Sequence, residues 1–212
     1  MSFPPISDVF FPETIRNELG IHFQDRDNFE RIPPISGVYA WFYPLTVTSL
    51  DLDEFLNELR QVHLYDAREK ASPGLEDAKR LGWFLVKTAI QFENPPTEIS
   101  PTIRSTWKRL TENEARFDKV KRIFMRASLL MPPLYVGKAT TLSERCHDHI
   151  RGETGFAQRY RSRAQELGFH CKEVSDLILL TLETSSAAEE DASEKLVEKV
   201  LNLVGRPPYG VT

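Results

Sequence analysis

The chain has 212 residues, 41% of them apolar, enough to bury a core as one domain, or as one domain carrying a large insertion, and too few to add a second enzyme. No apolar run is long enough to span a bilayer, and the start, Met1-Ser2-Phe3-Pro4-Pro5, lacks a basic segment followed by an apolar signal core, so a cytoplasmic protein with no membrane partner is expected. The net charge of -4 conceals a partition: residues 1–100 carry 9 basic and 16 acidic side chains, residues 101–163 carry 14 and 6, and residues 164–212 carry 4 and 9, so a belt of +8 lies between segments of -7 and -5, as a phosphate backbone would seek.

In the first 34 residues, Pro12 to Leu19 reads as a short helix, with proline at its start and Gly20 at its end. The segment 1–34 is therefore expected to be an N-terminal helical appendage. After Pro33-Pro34, the run Gly37 to Tyr43 alternates as a strand, with Val38, Ala40 and Phe42 on one face and Tyr39, Trp41 and Tyr43 on the other.

The 90 residues from Pro44 to Pro133 are mainly helical in period and predict an insertion. Leu52, Phe55, Leu56, Leu59 and Val62 form one apolar stripe, and Phe117, Val120, Ile123, Phe124 and Ala127 another. Leu75 to Ile90 is a third candidate helix, Asn94-Pro95-Pro96 a break, and Ile103 to Leu110 a fourth helix. On the 117–127 helix, Arg116, Lys119, Arg122 and Arg126 follow in steps of three or four, which predicts one basic face.

Leu134 to Gly137 reads as a short strand. Thr141, with Glu144 three residues on, has the form of a capping box that starts a helix running to about Arg151. Leu142, Arg145 and His149 share a face of that helix. Gly155 to Leu167 is a further helix, Asp176 to Glu183 a buried strand, and a last helix starts near Ser185 or Ser186 and stops at Gly205, before Arg206-Pro207-Pro208-Tyr209-Gly210.

Cys146 and Cys171 lie far apart and form no Cys-x-x-Cys pair, which leaves them as reduced packing residues. His147 and His149 are two apart on a helix, so their side chains diverge and cannot chelate one ion together. His22, His63 and His170 have no ligand spacing, and neither a phosphate-binding glycine loop nor a serine-histidine-aspartate signature occurs.

Gly37-Val38-Tyr39, then Tyr135-Val136-Gly137-Lys138 with Leu142, Arg145 and His149 behind it, resemble the two tyrosine motifs of the GIY-YIG endonuclease family and their following helix. Glu198, nine residues before Pro207, matches the family's metal-binding glutamate ahead of an Arg-Pro-x-Tyr-Asn-like turn; Glu194 is the rival, four residues earlier on the same helical face. The resemblance covers residues 35–43 and 133–210. It departs from the family in the 90 residues that separate motifs usually joined by a short hairpin, and in Gly210, which replaces the family asparagine.

The resemblance implies an α+β fold, a small domain with a short mixed or antiparallel sheet flanked by helices, assembled from 35–43 plus 134–212; the helical period and basic residues of 44–133 make it the expected DNA-binding insertion. It also implies a prokaryotic endonuclease of restriction, mobile-element or repair type that hydrolyses phosphodiesters in double-stranded DNA; a homodimer, a monomer acting twice and a chain working with an accessory protein are all open. In it Tyr39 would be the general base, its pKa lowered by Tyr135, Lys138 or His149. Arg145 would hold the non-bridging phosphate oxygens, and Glu198 would bind one Mg2+ or Mn2+. Lys138 would contact phosphate, and Lys108, Arg109, Arg116, Lys119, Arg122 and Arg126 would grip the duplex. The competing expectation is a module of the same fold that binds DNA or protein and has lost cleavage.

Overall fold

The computed structural model describes residues 21–47, 49–64, 99–184, 198–201, 207 and 209. Strands β1 (Ile21–Gln24), β2 (Gly37–Phe42), β3 (Tyr135–Ala139) and β4 (Ile178–Glu183) form one antiparallel sheet in the order β1-β4-β2-β3. The fold is α+β, and no pair in this sheet is parallel. Strand β1 corrects the sequence reading, which saw only an appendage before Pro33: Ile21-His22-Phe23-Gln24 is too short for its alternation to stand out, and pairing with β4 is what makes it a strand.

All six residues of β2 are buried, because both edges are paired and both faces are covered. The predicted alternation holds. Tyr39, Trp41 and Tyr43 enter a core with Leu142, Cys146, His149, Phe156, Ala157, Tyr160 and Leu179. Val38, Ala40 and Phe42 enter a second one with Val136 and Ile178, against which Met125 and Leu129 pack.

The insertion contributes α1 (Leu52–Leu64), α2 (Pro101–Thr111) and α3 (Glu114–Ala127). The side chains of Ser100 and Asn113 accept the N–H groups of Ile103 and Arg116 and so start α2 and α3 earlier than the apolar stripes alone suggest. These helices build a core of their own from Val47, Leu52, Phe55, Trp107 and Phe117, with Phe55 stacked on Trp107 at 5.8 Å between ring centroids. Arg104 clasps Asp53 through two hydrogen bonds of 2.6 and 2.9 Å, joining α2 to α1.

Helices α4 (Leu142–Arg151) and α5 (Gly155–Leu167) follow β3. The expected capping box at Thr141 does not form. Instead the N–H groups of Leu142 and Ser143 donate to the carbonyls of Ile35 (2.8 Å) and Pro33 (3.2 Å), so the loop before β2 satisfies the start of α4. Gly152 ends α4 in the left-handed region (φ 81°), where a side chain would also run into Arg161. The strand expected from Asp176 begins at Ile178, after a one-turn 3-10 helix at Val174–Asp176.

The expected helices Pro12–Leu19 and Leu75–Ile90, and most of the final helix, lie outside the described residues; residues 198–201 of that last helix are helical. Among the described residues no helix is long and apolar enough to cross a membrane. Both cysteines are free and buried.

At Gly37, β2 lies against both β4 and α4. An added Cβ there would lie 2.4 Å from the Leu182 carbonyl oxygen and 2.7 Å from Leu142 Cδ1. Gly37→Ala is expected to cost about 1–3 kcal/mol in urea denaturation; an unchanged midpoint would contradict this three-way contact.

Candidate active site

Strands β2 and β3 pair with Tyr39 opposite Gly137 and Trp41 opposite Tyr135, although Pro44 to Pro133 intervene in the chain. A Cβ on Gly137 would lie 2.5 Å from Tyr39 Oη and 2.6 Å from its Cζ. The phenol therefore lies across bare backbone, an aromatic ring filling the gap left by a cross-strand glycine. That direction carries Oη to His149 Nε2 at 2.7 Å, and Arg145, one turn earlier on α4, hydrogen-bonds the same hydroxyl.

The proton positions follow from the donor inventory. Arg145 can only donate, so Oη accepts from it; the buried phenolic proton then needs an acceptor, and among the described residues His149 Nε2 is the one bonded to Oη, which assigns the proton to that bond. His149 is fully buried, and burial, reinforced by the Arg145 charge, holds its pKa down to about 3. The neutral ring then carries its proton on Nδ1 and donates to Thr154 Oγ1 at 2.6 Å. Thr154 is the N-cap of α5 and also accepts the Ala157 N–H, so the cap of one helix orients the ring of a histidine on another.

Tyr39 is only 1% exposed, and burial pushes its pKa upward, with Tyr135 adding to the rise and Arg145 opposing it. The expectation that its neighbours lower its pKa is therefore not met in this state: desolvation outweighs the guanidinium, and Tyr39 is a protonated phenol. Tyr135 lies diagonally across the ladder, 6.1 Å from Tyr39 between ring centroids, and stacks on Phe156 at 4.6 Å. Phe156 and Trp41 present edge contacts to His149 and dry the cluster.

Arg145 remains exposed at its outer side, where Lys138, Thr140, Thr141, Glu144 and Asp148 join it in lining an open cleft of about 380 Å³. Lys138 is opposite Val38 in the ladder and so stands on the sheet face turned toward Met125 and Leu129, reaching the cleft around the outer strand.

Glu198 is partly buried within the helical residues 198–201, while Glu194 and Gly210 lie outside the described residues. Pro207 and Tyr209 of the terminal turn are buried. The Tyr209 N–H donates to the Leu134 carbonyl at 2.9 Å and Arg159 donates to the Tyr209 carbonyl at 3.0 Å, docking the turn at the entrance to β3. Lys108 and Arg109 of α2 and Arg116, Lys119, Arg122 and Arg126 of α3 are all exposed. His147 Nδ1 donates to the Ser143 carbonyl (2.6 Å), away from His149, so the two histidines diverge as expected. Among the described residues no three His, Cys, Asp or Glu side chains converge as a metal cage would require.

Sequence reading missed Thr154, Phe156 and Trp41. Thr154-Gly155 at a helix start was a visible cap signal, but its second bond joins residues five apart across a turn, which no helical or strand period encodes. Comparisons with family models, with curated proteins and with solved structures find no match to the chain.

Two outcomes test this geometry. Gly137→Ala is expected to destabilise by about 1–3 kcal/mol in the native chain and by less when Tyr39 is already leucine, because the two tightest clashes are with the Tyr39 phenol and the remaining one, at 2.9 Å, is with Tyr135 Cε1; additive losses would place the strain elsewhere. His149 binds a proton in the unfolded chain below its ordinary pKa of 6.5 but in the folded chain only below about 3. Its neutrality therefore stabilises fully above pH 6.5, and this contribution falls as pH drops toward 3, by up to about 1.4 kcal/mol per pH unit. Denaturation at pH 7, 6 and 5 should show a steeper decline for the native chain than for His149→Gln.

Proposed function

We propose that the chain is a metal-dependent endonuclease of the GIY-YIG type, hydrolysing phosphodiester bonds in double-stranded DNA. The observation that carries this reading is the Tyr39–His149–Arg145 constellation, set at the back of a cleft bearing Lys138 and Arg145.

Phosphodiester hydrolysis needs a proton acceptor for the attacking water, a cation for the phosphate and relief of charge on the leaving oxygen. Arg145 presents a planar fork of donors suited to a phosphate. Drawing its guanidinium onto the substrate releases the lone pair of Tyr39 Oη, to which a water can then donate. As that water attacks phosphorus, its proton passes to Oη while the phenolic proton moves along the existing 2.7 Å bond to His149 Nε2. Tyr39 thus acts as a relay that never carries a full negative charge, and its raised pKa is no obstacle. Protonation of His149 is opposed by burial and by Arg145, and favoured by the negative charge that phosphate brings and that grows in the transition state.

A carboxylate suits Mg2+ or Mn2+, hard cations that take oxygen ligands and keep several waters, and Glu198 is the residue that would hold one. The chemistry such an ion would supply is neutralisation of charge at the leaving 3′ oxygen. The exposed cations of α2 and α3 fit duplex backbone contacts, with restriction, mobile-element and repair roles equally compatible with them. A second reading, a DNA-binding module without cleavage, is favoured by one observation, the burial of the Tyr39 hydroxyl behind Arg145.

Purified chain incubated with supercoiled plasmid and Mg2+ or Mn2+ is expected to nick or cut it. Tyr39→Phe, Arg145→Ala and Glu198→Ala should each lower the rate by about 100-fold or more while the chain still unfolds cooperatively. No product from plasmid, branched or single-stranded DNA would overturn the nuclease in favour of the binding module, and cleavage indifferent to all three substitutions would overturn the site.

A further inference from the structure

Helix α3 uses two of its faces for folding. Phe117, Val120 and Phe124 close the core of the insertion, and Met125 packs on the sheet. The outward stripe follows the helical period through Arg116, Lys119, Ile123 and Arg126, with Arg122 beside it, and all five side chains are exposed. Ile123, 63% exposed, sits among the four cations.

A lone exposed apolar residue needs no explanation, but this one sits badly for folding. A β-branched side chain in solvent on a helix loses rotamer freedom and gains no packing, and Lys, Glu or Ala would each serve the helix better. What a helix with an apolar centre and a cationic surround does fit is the major groove. An α-helix enters it, cations at the helix margins meet phosphates on either side, and an apolar side chain at the middle meets the 5-methyl group of thymine. Lys138 stands on the same sheet face that Met125 of α3 covers and reaches the cleft around the outer strand, so cationic groups extend from α3 toward Arg145.

We propose that α3 is the sequence-reading helix of this chain, lying in the major groove with Ile123 against a thymine methyl and Arg116, Lys119, Arg122 and Arg126 on the flanking phosphates. This rests on the reading of the chain as a DNA-acting protein, but not on its cutting DNA. Ile123 sets specificity, and the cations set affinity.

The test is equilibrium binding of the full chain without divalent metal. A duplex library with a randomised centre first identifies the preferred site, and anisotropy is then read on that site and on copies with deoxyuridine replacing each thymine in turn. At one thymine, loss of the methyl should weaken the native chain about 3- to 10-fold, Ile123→Ala should lose a similar factor, and the two changes together should lose no more than either alone. Ile103→Ala, at a similarly exposed isoleucine on α2, should bind like the native chain. Replacing Arg116, Lys119 and Arg126 by Gln should weaken binding to every sequence and flatten its salt dependence. Equal selectivity in Ile123→Ala, or a uracil effect that persists in it, overturns the assignment, as does absence of DNA binding. Cleavage is scored separately: selective binding through Ile123 without cleavage would sink the nuclease and leave this inference standing, and cleavage indifferent to Ile123 would do the reverse.

Discussion

The candidate site depends on a missing side chain. With no Cβ at Gly137, the Tyr39 ring lies over the neighbouring strand and its hydroxyl reaches His149; with one, Oη and the new carbon would compete for the same space. Several other features follow from that placement. The ladder must hold Tyr39 opposite Gly137, since a slip of one residue would turn Tyr39 to the other face of the sheet. Helix α4 must start where it does, so that Arg145 and His149 meet Oη together, and the carbonyls of Pro33 and Ile35 hold that start in place of a side-chain cap. The ring of His149 must be turned, and Thr154 turns it.

The register survives an interruption that would weaken an ordinary hairpin. Replacing a tight turn by 90 flexible residues would cost about 3 kcal/mol in loop closure. The insertion offsets this by folding on its own core and by fastening itself beside the sheet. Glu58 of α1 accepts the Tyr43 hydroxyl just beyond β2 and the His170 N–H beyond α5, and Ser128 after α3 accepts the Leu45 N–H. The two ends of the insertion are thus held where β2 stops and β3 begins, and α3 lies beneath the strands it separates.

What was legible in the sequence was what local periods encode. The alternation of Gly37 to Tyr43 placed Tyr39 and Val38 on opposite faces, and the stripe of Leu142, Arg145 and His149 placed three residues on one side of a helix; both stand in the fold. The pairing of Tyr39 with Gly137 across the insertion has no local signal in the sequence. Strand β1 was missed because four residues carry too little pattern against a preceding helical signal, and only Leu179 to Leu182 opposite them define it. The capping box at Thr141 failed because carbonyls more than a hundred residues earlier in the chain reached the same N–H groups, and no local motif can reveal that competition.

The balance of forces at Tyr39 bears directly on what the cluster can do. Burial raises the phenol and lowers the imidazole, so the pair rests with both groups neutral and the shared proton on oxygen. A neutral, hydrogen-bonded pair costs little to bury, whereas a tyrosinate beside an imidazolium in the same dry pocket would have to be held by compensating charge. Arg145 is the only cation that the described geometry puts against Oη, and its outer side faces the cleft. An anion arriving there therefore changes two terms at once. It offsets the charge that disfavours a protonated His149, and it competes with Oη for the guanidinium. On the proposed nuclease reading, a site built this way would be quiescent in water and become basic only when a negatively charged substrate occupied it, so selectivity for an anion would follow from the same burial that makes Tyr39 a poor base by itself.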